Sequence, residues 1–219
     1  LPIYDDTTVE YKRDNNFYYI PNTHFEVPDT DQPLNVEKNL LINNKFEEFP
    51  AKWTGNGSRL AKPDRDDWYE TVKVNYGIRP DGSKDFPELP VGFDTKSYQE
   101  HYAFWKGKDV PDSWDKFKDI ALYWTAKEVD GFRFDMAEMV PYEFWSYMNS
   151  AIKMKNPNAF LLAEVYNPNE YRNYIYLGKM DYLYDKVDLY DHLKSIVHGK
   201  ALPDPISQIQ EKYADIERH

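Results

Sequence analysis

The stretch 131-GFRFDMAEMV-140 carries the reading of this chain. It has the pattern of a short strand, apolar at Phe132 and Phe134, yet it holds Arg133 and Asp135 two residues apart. Residues two apart in a strand point the same way. Arg133 and Asp135 therefore share one face, and Phe132 and Phe134 point oppositely, toward covering helices. About thirty residues on, 160-FLLAEV-165 reads as a second strand ending in Glu164, and 180-MDYLYD-185 as a weaker third.

Around these strands the chain shows helical periodicity. A helix is predicted from Asp112, with Trp114, Phe117, Ala121 and Trp124 at helical spacing. Pro141 suits the first turn of another, which carries Phe144, Trp145, Met148 and Ile152 and stops before Asn156-Pro157. Leu189, Leu193, Ile196 and Val197 mark a third helix with Gly199 as its stop, and Asp204-Pro205 opens a fourth. Strands alternating with amphipathic helices imply parallel β/α units, belonging either to a doubly wound sheet or to an arc of a β/α barrel. In both folds function gathers at the C-terminal ends of the strands. Before residue 111 the sequence is irregular, with Pro, Asn, Asp and Gly between short β-like runs. The clearest run is 68-WYETVKVNYG-77, expected to be a strand with Trp68, Val72, Val74 and Tyr76 on one face. Asn56-Gly57 and Pro80-Asp81-Gly82 are turn signals.

With 219 residues, 41% hydrophobic and 30% charged, the chain has material for one large domain or two small ones. A net charge of −11 without a basic cluster argues against nucleic acid as a partner. No apolar run reaches the length of a membrane helix, and no signal-peptide pattern stands at the start, which leaves localisation open. The absence of cysteine excludes disulfides and Cys-based zinc sites. The five histidines show no paired metal spacing. Aromatic residues make up 17%, which suits a Tyr-rich core or a cleft for sugars, whose apolar faces and hydroxyl edges match flat rings with polar tips. Leu1 in place of Met suggests a piece of a longer chain.

Neighbouring strands lie about 4.8 Å apart. Carboxyl groups on adjacent strand tips could thus approach the roughly 5 Å separation of a retaining glycosidase, one as nucleophile and one as acid/base. Arg133 would hold Asp135 ionised. The competing reading is a buried Arg–Asp ion pair, with Glu164 capping the next helix.

131-GFRFD-135, followed by 161-LLAEV-165, resembles the second and third conserved stretches of the alpha-amylase family, glycoside hydrolase family 13. The segment 68-WYETVKVNYG-77 is also similar to one found in some members. The resemblance implies an α/β fold, a partial (β/α)8 barrel comprising about strands four to six. Residues 1–111 would be a β-rich, irregular insertion (domain B), and residues 112–219 the partial barrel. It implies Asp135 as nucleophile, Glu164 as acid/base and Arg133 as orienting cation, with Glu138, Met139 and Tyr166 contacting substrate. Many members carry Lys and His where this chain has Glu138 and Met139. The implied reaction is retaining hydrolysis of α-glucosidic bonds in starch-like glucans or maltooligosaccharides. Transglycosylation and a non-catalytic carbohydrate-binding or partner role are the alternatives. No cofactor is required; calcium at 64-DRDDWYE-70 is an option the resemblance allows, without a regular calcium motif. A secreted or periplasmic parent is equally compatible with it. The family's first and fourth conserved stretches are not found in these residues, so the chain by itself is expected to be inactive. Its open sheet edges are expected to favour self-association.

Overall fold

A computed structural model describes residues 5–28 and 47–216. The chain divides into two compact units, Leu1–Phe86 with Pro111–Ser113, and Pro87–Val110 with Trp114–His219.

The first unit has little regular structure among the described residues. Strands β1 (Tyr19–Ile20) and β2 (Ala51–Lys52) pair antiparallel, with Tyr19 opposite Lys52 and Ile20 opposite Ala51. Stacked rings and buried polar side chains hold the rest. Tyr18 lies between Tyr11 (5.9 Å) and Trp53 (4.5 Å), and the Arg59 guanidinium covers Trp53 at 4.2 Å. Asn75 is fully buried; its Nδ2 donates to the carbonyls of Lys12 and Asn15 at 2.9 Å, and its Oδ1 accepts from the Gly77 amide at 2.9 Å. One side chain thus ties the turn at residues 12–15 to its own segment at 75–77.

The expected strand over 68–77 is absent. The Thr71 amide and hydroxyl both donate to the Trp68 carbonyl, at 3.1 and 3.0 Å, which closes a turn in place of an extended ladder. Trp68 and Val72 are exposed, and pairing is limited to single bridges from Val72 to Thr54 and from Val74 to Phe17. Gly55 belongs to the same turn: a Cβ there would meet Thr71 Oγ1 at 2.0 Å. The alternation of apolar residues lost to local side-chain hydrogen bonding.

The second unit is mixed α/β. Strands β3 (Gly131–Phe134), β4 (Phe160–Ala163) and β5 (Tyr182–Leu183) form a parallel sheet in the order β3-β4-β5. Gly131 to Phe134 pair in step with Phe160 to Ala163, and Leu162 and Ala163 with Tyr182 and Leu183. Gly131 is needed where it stands, because a Cβ would lie 2.0 Å from the Phe160 carbonyl oxygen. Helix α1 (Tyr98–Trp105) was not anticipated from the sequence. Its capping box is legible in retrospect: Ser97 Oγ accepts from the Glu100 amide, and Glu100 accepts from the Ser97 amide at 2.9 Å. That amide bond, first among its causes, holds the Glu100 carboxyl at about 2.

Helix α2 (Asp112–Thr125) starts where expected. Its Trp114 and Ala121 are buried, whereas Phe117 and Trp124 of the predicted stripe are exposed. Helix α3 (Tyr142–Lys155) connects β3 to β4 and is buried from Glu143 to Ile152, including Phe144, Trp145 and Met148. An aromatic core joins the three helices edge to face: Trp105–Trp114 at 5.6 Å, Trp114–Phe144 at 5.6 Å and Trp105–Tyr147 at 5.9 Å. Downstream, the expected helix around Leu189–Val197 is a π-helical turn (Lys186–Tyr190) running into α4 (Asp191–Val197), and Gly199 (φ 67°) ends it. Helix α5 (Pro205–Lys212) opens at Pro205 as predicted. No described helix is long and apolar enough to cross a membrane.

His101 on α1 is fully buried, with Nε2 2.8 Å from the Phe93 carbonyl and Nδ1 2.7 Å from Ser146 Oγ, which also accepts from Trp105 Nε1 at 2.7 Å. The carbonyl requires a proton on Nε2, so Nδ1 accepts the Ser146 hydroxyl and the ring is neutral. Burial holds the imidazole at about 4.

Asn75→Ala removes the side-chain partner of the Asn15 carbonyl and of the Gly77 amide at buried contacts, and should cost roughly 2–3 kcal/mol in urea unfolding. Because His101 takes up its proton more readily when unfolded, its contribution is fully present above about pH 6.5 and is lost as pH falls from there toward 4, on the order of 3 kcal/mol. Replacing His101 with Gln should flatten that segment of the stability–pH curve, read from urea midpoints at pH 7 and 5.

Candidate active site

Three parallel strands end together, and each delivers a polar residue at the next position. Asp135 follows β3, Glu164 follows β4 and Tyr184 follows β5. The Glu164 amide donates to the Phe134 carbonyl at 3.0 Å, and the Tyr184 amide to the Ala163 carbonyl at 3.2 Å, so the ladder continues to these tips. On the opposite face of β3, Phe134 packs against Trp145 of α3 at 4.6 Å, as the alternation predicts.

Arg133 joins the tips. Its Nη1 binds Asp135 Oδ1, its Nη2 lies 3.2 Å from Glu164 Oε2, and its guanidinium sits 5.5 Å from the centre of the Tyr184 ring. Both carboxylates therefore share one cation, which offsets the repulsion that would otherwise raise one of their pKa values. The hydrogen bond from Arg133, ahead of any other cause, holds the Asp135 carboxyl below the usual range, as a nucleophile requires. The pair is not the buried ion pair of the competing reading: the side chains of Arg133 and Asp135 are 43% and 73% exposed, and only Glu164, at 14%, is largely enclosed.

Glu164 is held from three sides. Besides Arg133, it accepts from the Met136 amide at 3.0 Å and from the Tyr166 hydroxyl. The bond to Glu164 raises the Tyr166 phenol above its ordinary value. Met136 occupies the left-handed region (φ 46°, ψ 39°), an unfavourable conformation for a residue with a side chain. It turns the chain sharply after Asp135 and aims its amide at Glu164.

The residues expected to contact substrate fall into different settings. Tyr166 lies on the candidate acid/base. Glu138 Oε2 accepts the amides of Tyr166 (2.7 Å) and Asn167 (2.8 Å). Met139 is half-buried in the 3-10 turn Ala137–Met139. Tyr184 was not singled out from the sequence; its position just after the weak third strand, equivalent to Asp135 and Glu164, was the available signal. In the acidic run 64–70, Asp67 is engaged with the Asp64 amide (2.9 Å) and Asn56 (3.2 Å), and no cluster of three His, Asp or Glu side chains fit for a metal occurs among the described residues.

The C-terminal tips of these parallel strands thus bring together two carboxylates, a cation and a tyrosine ring. No family model matches the chain. Among curated proteins it is similar to alpha-1,4-glucan:maltose-1-phosphate maltosyltransferases. The one from Cereibacter sphaeroides is 31% identical over 118 residues, 52% of this chain and 18% of the relative. That from Picrophilus torridus is 33% identical over 89 residues (40% and 14%), and that from Chlorobaculum tepidum 28% over 139 residues (60% and 20%). The matches thus span a fifth or less of these relatives' length. They support the alpha-amylase-family resemblance in its broad form, with relatives named for transfer rather than hydrolysis.

Removing the shared cation tests the electrostatics. Arg133→Gln should let the Asp135 pKa rise toward the ordinary carboxylate range, read from the side-chain carboxyl carbon shift across a pH titration by NMR. An unchanged Asp135 titration would refute the assignment.

Proposed function

We propose that this chain carries the nucleophile and the acid/base of a retaining enzyme acting on α-glucosidic bonds, with transfer to a sugar or other acceptor as its reaction. The observation that carries the reading is the pair of carboxylates on adjacent parallel strand tips, bridged by Arg133. Relatives named as maltosyltransferases favour transfer over hydrolysis. On this reading the three β/α units are part of a (β/α)8 barrel, and residues 1–111 are a domain B-like insertion.

In the first step Asp135 attacks the anomeric carbon from one face while Glu164 gives its proton to the departing glycosidic oxygen. The C–O bond to the leaving sugar breaks as an ester to Asp135 forms. In the second step Glu164, now a carboxylate, takes a proton from the incoming acceptor, whose oxygen displaces Asp135 and restores the original configuration. Arg133 keeps Asp135 ionised and limits where it points. Water and a second sugar compete for the same intermediate, so access of water sets the balance of hydrolysis and transfer. The open face at Asp135 favours hydrolysis as the second reading.

In the intact polypeptide, Asp135→Asn should lower turnover of maltooligosaccharides at least a thousandfold, on the order expected for loss of a covalent nucleophile. Chromatography of products separates the readings: chains longer than the substrate denote transfer, and glucose or maltose alone denotes hydrolysis. Unchanged turnover in Asp135→Asn would remove both.

A further inference from the structure

Glu138 sits three residues beyond the candidate nucleophile, where a substrate contact was expected. Its geometry is that of a latch. A single oxygen, Oε2, accepts two consecutive amides from the loop that follows β4, those of Tyr166 and Asn167, at 2.7 and 2.8 Å. The latch is anchored from behind: the Tyr174 hydroxyl lies 2.9 Å from the carbonyls of both Glu138 and Val140. Tyr174 is itself buried on the π-helical turn Asn173–Leu177. At the other end of the same loop segment, the Tyr166 hydroxyl donates to Glu164 Oε1.

These contacts form one continuous chain. Tyr174 holds the backbone after β3, Glu138 ties that backbone to the loop after β4, and the loop carries the hydroxyl that meets the candidate acid/base. The geometry points to Glu138 as a positioning residue: its carboxylate fixes residues 166–167 so that Tyr166 orients Glu164 for proton transfer to the leaving oxygen. This rests on the glycoside-transfer reading and deepens it.

A carboxylate receiving two amides on one oxygen needs an acceptor there rather than a charge. Gln can place its amide oxygen at the same point; Met, of similar length, cannot accept there in the same way. In the first step, which kcat/KM reports, proton donation by Glu164 matters for a sugar leaving group and hardly at all for fluoride, which departs without a proton. A residue acting through Glu164 must therefore show a leaving-group-dependent effect, whereas general damage to the site would not.

The experiment uses the intact polypeptide, with a maltooligosaccharide and an α-maltosyl fluoride as substrates. Glu138→Met should lower kcat/KM on the oligosaccharide by roughly tenfold or more, with KM within about twofold, and should lose less than about threefold in kcat/KM on the fluoride. Glu138→Gln should recover kcat/KM to within about threefold of the parent. Tyr166→Phe should show the same dependence on leaving group, and should do so even where Glu138→Met fails to fold. Combined with Glu138→Met it should add little, because both act on one contact. Equal losses of kcat/KM on both substrates, a change in KM alone, or a Gln variant as impaired as the Met variant would overturn the assignment. Full turnover in Asp135→Asn would instead sink the underlying reading, whatever Glu138 does.

Discussion

The site depends on the register between β3 and β4. Phe134 lies opposite Ala163, so the next residues, Asp135 and Glu164, emerge side by side from adjacent strands. In a sheet the side-chain period is two, and a slip of one residue would send one carboxylate to the helix-facing side. The register is set from the other end by Gly131, whose missing side chain lets the Phe160 carbonyl approach. Asp181, just before β5, fastens β4 to its other neighbours: it accepts the Leu161 amide at 2.9 Å and pairs with Lys153 of α3 at 2.7 Å. The buried aromatic helices supply the surface on which Phe134 comes to rest.

Bringing two carboxylates together carries an electrostatic cost, and Arg133 offsets it by serving both. The interaction stays modest per contact because Arg133 and Asp135 are open to water. What distinguishes the arrangement is order. Met136 accepts an unfavourable backbone conformation, its amide meets Glu164, and Tyr166 closes the other oxygen. Candidate chemistry and local strain coincide, as they do where geometry is held by its surroundings.

Much of this was legible in the chain. Strand alternation at 131–135 placed Arg133 and Asp135 on one face and Phe134 toward a helix, and the same logic located Glu164. Helix α3 was readable because Pro141 and the stripe from Phe144 to Ile152 agree with each other. Other features were not readable. Thr71 folded a β-like run into a turn through one hydroxyl and one amide. Phe117 and Trp124 have core-like spacing but lie exposed, since periodicity tells which side of a helix is apolar and not whether anything covers it. Helix α1 escaped because its capping box precedes a stretch with only a weak apolar stripe. Glu138 looked like a sugar contact from its place after Asp135, whereas its partners are amides 28 and 29 residues away.

The sequence by itself determined the local choices: which residues extend, which coil, and which polar groups end the strands. Those follow from side-chain period, proline and glycine geometry and capping, all of which act within a few residues. Only the tertiary structure decided that one guanidinium serves two carboxylates, that Tyr184 joins them, and that Glu138 faces a loop. Those contacts close across strands far apart in the chain, and their energies depend on distance and exposure, which no local pattern encodes.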